Sequence, residues 1–207
     1  QFRIFVDQIP ENGCLIYCEK DPEVVRVATN STSKSKKIPY SVPEHLIENG
    51  NTFLTPNENF SRRIPLQVFG EHNLLNIDGA RLVCSELGLS NDQFYEAISS
   101  FKGASKRLEL VGKSKDSAFY KDFAHSPSKL KATIHAVKQQ YPERKLIACM
   151  ELHTFSSLNE EFLLEYKGTA AEADEGYIYY NPHTIAHKKL NPISTDQVKE
   201  AFGKGNI

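Results

Sequence analysis

The chain has 207 residues, 40% of them hydrophobic and 25% charged, with 25 Lys and Arg against 26 Asp and Glu for a formal net charge of -1. Such a length and composition fit one large or two ordinary globular domains with a sizeable core. The charge balance gives no support for a protein dedicated to nucleic acid or to a membrane surface, and no apolar run approaches a membrane span or a signal-peptide core.

In chain order, "QFRIFVDQIPENG" begins on Gln1 and reads as the end of a helix, so the chain is expected to be a piece of a longer protein. "GCLIYCEKD" reads as a buried strand with Cys14 and Cys18 on one face, which suits buried thiols better than metal ligands. With Cys84 and Cys149 they form no CxxC pair, which argues against structural zinc and for a reducing, cytoplasmic compartment. "PEVVRVATN" is a short helix with proline in its first turn. "STSKSKKIPYSVPE" is polar and basic and then extended. "NTFLTPN" and "RRIPLQVFG" read as two edge strands, their prolines disfavouring central positions.

"FGEHNLLNIDGARLVCSELGLS" then gives a helix from Asn73 to Leu87, with Leu74, Leu75, Ala80, Leu82, Val83 and Leu87 at helical spacing and Gly88 as its stop. A second helix, "SNDQFYEAISSF", is capped by Ser90. Glycines and positive charge in "KGASKRLELVGKSKD" break the helical pattern, which places a domain boundary near Ala104. Beyond it, "SAFYKDFA" reads as a strand and "SPSKLKATIHAVKQQY" as a helix. "RKLIACMEL" is a continuous apolar strand expected to be covered on both faces. "NEEFLLEYKGTAAEA" reads as helix, "EGYIYYN" as strand and "STDQVKEAFG" as a final capped helix. Strand–helix alternation in both halves predicts an α/β fold with mainly parallel sheets.

In such folds ligands bind beyond the carboxyl ends of the strands. "KDFAHSP" ends one strand with Asp122 and His125, and "MELHTFSS" ends the next with Glu151, His153, Thr154 and Ser157. "GEHN" opens a helix of the other half with His72 and Asn73. Each has an ordinary explanation: Asn73 as a helix cap, Asp122 as a turn residue, Ser156 or Ser157 as another cap. Their common placement makes them candidates. Arg107, beside Lys102 and Lys106, adds a cation suited to a phosphate. No GxxxxGK[ST] loop, GxGxxG, HExxH or GxSxG is present, and adjacent Asp122, His125 and Ser126 cannot form a triad.

Three of these stretches together resemble the muramyl (Mur) ligases, ATP-dependent enzymes that join amino acids or peptides to UDP-N-acetylmuramate. "FGEHNLLNIDGA" resembles their helix-opening motif, "FKGASKRLE" their interdomain segment, and "KDFAHSP" the motif that opens their C-terminal domain. The resemblance implies that residues 1–104 are the later part of a central ATPase domain. Residues 105–207 would then be most of a Rossmann-like C-terminal domain with a mainly parallel sheet. It implies that His72, Asn73 and Asn76 face the adenine of ATP, that Arg107 approaches its phosphates, and that Asp122 binds the ribose. His125, His153, Thr154 and Ser157 would face the amine substrate, with His125 and Arg107 taking part in the chemistry.

ATP and Mg2+ are the implied cofactors, with the metal ligands and the P-loop outside this chain. UDP-N-acetylmuramate and a cell-wall peptide or amino acid are the implied partners. Two departures from the family pattern matter. Ser105-Lys106-Arg107 keeps one of two paired arginines, and Thr154 and Ser157 stand where the alanine-adding ligases carry arginines. The second departure favours a peptide, as in the murein peptide ligases, over free alanine. A UDP-N-acetylmuramate–L-alanine ligase, a folate-type ligase and a nucleotide-binding module without ligase chemistry are the alternatives.

Overall fold

In the computed structural model, which describes residues 1–56 and 62–203, the chain divides into two units, Gln1–Lys102 and Gly103–Ile207. The first begins with α1 (Phe2–Asp7), β1 (Cys14–Cys18), α2 (Pro22–Thr29) and β2 (Lys36–Tyr40). β1 and β2 pair in parallel, Cys14 opposite Lys36 and Cys18 opposite Tyr40, with α2 as the crossover. The Asp21 carboxylate starts α2 by accepting from the amides of Glu23 at 2.9 Å and Val24 at 3.1 Å. Pro22 occupies the first turn, where no amide partner is needed. Cys14 and Cys18 are half-buried, and burial pushes the Cys14 thiol up.

The prolines mislead at the next sheet. β3 (His45–Glu48), β4 (Asn51–Leu54) and β5 (Ile64–Leu66) form an antiparallel meander, so β4 is central rather than an edge and β3 is an additional strand. Asn49 at φ 52° and Gly50 at φ 71° make the two-residue turn between β3 and β4, an Asn-Gly hairpin signal that lies within "EHLIENGN". Pro65 does sit on an edge strand, β5. Helices α3 (Glu71–Glu86) and α4 (Asn91–Ser99) follow. Gly88, at φ 89°, ends α3 as expected: its amide donates to Ser85 O and that of Leu89 to Cys84 O, both at 3.0 Å. Ser90 and Gln93 form a reciprocal capping box on α4. Leu54, Ile64 and Leu66 of the sheet, Leu74 and Ile77 of α3 and Phe94 of α4 make this unit's core.

In the second unit the basic segment continues into a strand. β6 (Glu109–Lys113) and β7 (Ala118–Lys121) form a bulged antiparallel hairpin, closed where Ser114 Oγ accepts from the amides of Asp116 and Ser117. α5 (Pro127–Gln140), β8 (Ile147–Leu152), α6 (Glu160–Leu163), β9 (Glu175–Tyr180), α7 (Pro182–His187) and α8 (Thr195–Phe202) complete it. β8 and β9 pair in parallel, Ile147 opposite Glu175 and Leu152 opposite Tyr180.

Three expectations change here. β8 is covered on one face only: Met150 and Leu152 are buried while Ile147, Cys149 and Glu151 are exposed. The helix read across "NEEFLLEYKGTAAEA" is the single turn α6 followed by a 3-10 turn, Leu164–Tyr166. Tyr166 is drawn fully into the core and Gly168, at φ 72°, turns the chain away. And α7 is an additional helix, started by Asn181 accepting from the His183 amide at 2.9 Å with Pro182 in its first turn. α8 is capped, as its sequence predicts, and the cap is a reciprocal box of Ser194 and Gln197. Leu130 and Ile134 of α5, Met150 and Leu152 of β8, Tyr166, Ile185, Val198 and Phe202 belong to the core of this unit. Among the described residues no helix is long and apolar enough to cross a membrane.

Candidate nucleotide-facing helix and strand-end cluster

In the first unit the candidate residues lie on the first two turns of α3. The residue before the helix is Gly70 at φ 88°, a conformation that side-chain-bearing residues rarely adopt. The helix starts at Glu71, two residues earlier than its sequence suggests, and Asn73 is not its cap. Instead Asn73 reaches back, donating its Nδ2 to Phe69 O at 2.8 Å and so fixing the loop that enters the helix. That bond leaves Oδ1 of Asn73 as an acceptor. Asn76, one turn after His72 on the same face, is exposed and has no hydrogen-bond partner among the described residues. Leu74 and Ile77, 1% and 4% exposed, anchor the other side of the helix. Gly79 lies so close to the Tyr40 ring that an added Cβ would sit 3.4 Å from it, which sets α3 against β2. The result is a half-buried imidazole and an exposed amide held on a rigid helix opening. Such groups donate and accept in one plane, as the edge of a purine requires.

In the second unit the candidates collect around a residue that sequence reasoning passed over. Phe123 is half-exposed at the end of β7. Its ring lies 4.9 Å from that of His125 and 6.0 Å from that of His153, and the Arg107 guanidinium lies 6.0 Å from its centroid. The Phe123 amide donates to Lys106 O at 2.9 Å and to Asp122 Oδ1 at 2.7 Å, tying the segment that carries Arg107 to the segment that carries Asp122. The other Asp122 oxygen accepts from the Thr133 hydroxyl of α5. Both carboxylate oxygens are thus positioned by the protein, each with a lone pair left for a ligand.

The two histidines use the same device. His125 Nδ1 lies 3.0 Å from Phe123 O and His153 Nδ1 3.3 Å from Glu151 O, each two residues back. A carbonyl can only accept, so in each ring Nδ1 carries the hydrogen and Nε2 is the free acceptor. His125 is further held by the buried Tyr166, whose hydroxyl donates to His125 O at 3.0 Å and whose ring stacks on Phe202 at 5.0 Å. Burial pushes the Tyr166 phenol up, so it stays a donor.

Thr154 and Ser157 play another part. The Thr154 amide donates to Ser157 Oγ at 3.0 Å, the Ser157 amide to Thr154 Oγ1 at 3.0 Å, and the two hydroxyls meet at 2.8 Å. Ser157 is 1% exposed. Its hydroxyl is engaged within the turn, so it shapes the turn after β8 rather than reaching a ligand. At the tip of that turn Phe155 is exposed, with the Lys188 ammonium 3.8 Å over its ring. The turn therefore carries a cation after all, a lysine supplied by the end of α7. No sequence signal pointed to it, because residues 155 and 188 meet only through the parallel pairing of β8 and β9.

Among the described residues no group of three or more His, Cys, Asp or Glu could hold a metal ion.

The fold and the two motif-bearing openings define a class. No protein-family model matches the chain. It is 24% identical over 212 residues to the UDP-N-acetylmuramate–L-alanine ligase of Desulfitobacterium hafniense, covering 100% of this chain and 47% of that enzyme. To the enzyme of the same name from Clostridium acetobutylicum it is 29% identical over 225 residues, covering 100% of this chain and 46% of the other. Among solved structures, a murein peptide ligase from Psychrobacter arcticus superposes with a TM-score of 0.57 at 20% identity, over 99% of this chain and 45% of that one. MurF from Acinetobacter baumannii gives 0.65 at 16% identity, over 85% and 40%. The chain is thus a relative of the Mur ligases in sequence and in fold. It spans about half the length of the curated relatives it matches, and those relatives carry the name of alanine-adding ligases.

Proposed function

We propose that the chain belongs to a cytoplasmic, ATP-dependent ligase that forms a carbon–nitrogen bond in peptidoglycan synthesis or recycling, joining a short cell-wall peptide to UDP-N-acetylmuramate. In this reading residues 1–104 are part of the central ATP-binding domain and residues 105–207 part of the C-terminal domain. The observation that carries it is the cluster around Phe123, where Arg107, Asp122, His125 and His153 meet at a strand end. In this reading the acceptor carboxylate would take the γ-phosphoryl group of ATP, with ADP as the leaving group, and so become an acyl phosphate. The amine nitrogen attacks the acyl carbon, the bond to the phosphate oxygen breaks, and phosphate leaves as the amine sheds a proton.

The roles of this chain's residues follow from their chemistry. His72 and Asn76 present donors and acceptors to the adenine edge, with Asn73 supplying Oδ1. Asp122 accepts from ribose hydroxyls. Arg107 offsets negative charge on the transferring phosphoryl group. His125 and His153 turn Nε2 toward the amine and take its hydrogen bond or its proton. Thr154 shapes the amine-side turn with Ser157. Mg2+, when bound, would neutralise phosphate charge, and its ligands are sought outside the described residues.

Substrate choice is the open part of this reading. An arginine in the turn after β8 would hold a small carboxylate by paired charge-assisted bonds, each worth about 1.5–3 kcal/mol. A lysine is a single point charge and cannot make the bidentate pair. A peptide offsets that deficit through contacts along its backbone. The full-length protein is therefore expected to prefer a short cell-wall peptide over free L-alanine, read as kcat/KM for each at equal concentration. The names of the curated relatives favour the alanine-adding alternative. An advantage of about tenfold for L-alanine would establish that alternative and remove the peptide reading.

A further inference from the structure

A carboxylate at a strand end can turn about its own side-chain bonds, and unheld it offers one oxygen to a ligand more readily than two at once. Asp122 stands at such a place, half-buried directly after β7. Two donors of different origin hold it: the Phe123 amide on Oδ1 at 2.7 Å and the Thr133 hydroxyl on Oδ2. The first belongs to the next residue in the chain and moves with the loop. Thr133 is eleven residues away, in the second turn of α5 beside the core residues Leu130 and Ile134. It alone of the two ties the carboxylate to the packed core of the unit.

Threonine suits this task for two reasons. Its branched Cβ leaves few side-chain rotamers, so the hydroxyl is held before any ligand arrives. That hydroxyl has a single hydrogen, which in a helix is commonly given to the carbonyl three or four residues back. Here the hydrogen goes to Asp122 instead. Among the described residues the two carboxylate oxygens have no further partner. Each therefore keeps acceptor capacity, and the plane that contains both is fixed.

We propose that Thr133 is a positioning residue for the nucleotide: by fixing the plane of the Asp122 carboxylate it lets both oxygens accept at once from the two adjacent hydroxyls of a ribose. The site then selects nucleotides with an intact vicinal diol. The inference rests on the proposed function, in which Asp122 accepts from ribose hydroxyls, and adds to it a residue that touches no substrate. Without the Thr133 hydroxyl the carboxylate still accepts from one ribose hydroxyl, but ordering it for two carries a conformational cost at the moment of binding. Loss of that hydroxyl removes the preference for the diol rather than nucleotide binding itself. A threonine that only fastened α5 to the strand-end loop would affect stability and leave the preference unchanged.

The test is calorimetric titration of the full-length protein with ATP, 2′-deoxy-ATP and 3′-deoxy-ATP, repeated with Thr133→Val and Thr133→Ser. The parent is expected to bind ATP about tenfold tighter than either deoxynucleotide. Thr133→Val keeps the side-chain shape without the hydroxyl; it should weaken ATP about tenfold and change either deoxynucleotide by less than about twofold. Thr133→Ser keeps the hydroxyl and should retain the preference. Thr133→Ala takes the place of the valine variant if a melting curve shows that variant unfolded. An equal preference for ATP in the parent and in Thr133→Val overturns the inference alone. A parent that binds ATP no better than the deoxynucleotides overturns the ribose role of Asp122 and the inference with it. No binding of ATP by the parent overturns the ATP-dependent reading as a whole.

Discussion

Phe123 organises the strand-end cluster although it cannot itself ionise. Its ring contacts two imidazoles and a guanidinium, and its backbone joins two loops. Aromatic and cation–π contacts of this kind contribute roughly 0.5–1.5 kcal/mol each. Phe123→Ala in the full-length protein is therefore expected to lower kcat/KM for the amine by about tenfold or more, whereas Phe123→Tyr should retain most of it. Because Phe123 is 46% exposed, thermal stability should change little, and a large fall in Tm would assign the residue to folding instead. Acid sensitivity has a separate source in Asp174. Its carboxylate accepts from the Leu146 amide at 2.7 Å and from Lys138 Nζ at 2.8 Å, and these bonds hold its pKa below the ordinary 3.8. A carboxyl with a depressed folded pKa stabilises fully above its ordinary value and loses that contribution as pH falls through the lower one. Asp174→Asn should therefore flatten the acid limb of the stability–pH curve below about pH 4. An unchanged acid midpoint would locate the acid-labile group elsewhere.

Helix α3 sets the Asn73 and Asn76 amides of the first unit in place, and its two ends are fixed by glycine for the same reason. Gly70 and Gly88 both hold positive φ, at 88° and 89°. No atom lies within 4 Å of a Cβ built on Gly88, so a substitution there tests backbone conformation alone. Gly88→Ala should cost about 1–2 kcal/mol and Gly88→Asn less, measured by urea unfolding. Equal stability of all three would mean that the left-handed stop does not hold the helix end. Strong local signals of this kind are legible: the caps at Ser90 and Ser194, the Pro22 and Pro127 first turns, and the Gly88 stop all read directly from sequence. Weaker ones were not. The Asn49–Gly50 hairpin, the Asn181–Pro182 helix start and the strand β6 were all passed over.

Across the whole chain, each unit has its own apolar core, one around Leu74, Ile77 and Phe94, the other around Leu152, Tyr166 and Phe202. Two cores without shared residues predict two unfolding transitions in denaturant. Tyr166 is fully buried, stacked on Phe202 and bonded to His125 O. Tyr166→Ala should destabilise the second unit by about 3–5 kcal/mol and leave the other transition in place. Loss of both transitions together would mean that the units unfold as one. The sequence by itself determined the alternation of strands and helices, most helix ends, and the residue types at His72, Asn76, Asp122, His125 and His153. Those features depend on neighbours a few residues away, where periodicity, caps and turn residues act. Only the tertiary structure decided the rest: that Phe123 gathers Arg107, His125 and His153, that Ser157 closes a turn, and that Lys188 covers Phe155. Each of those depends on strand register and helix packing that bring distant residues together, and no local pattern encodes which side chains will meet.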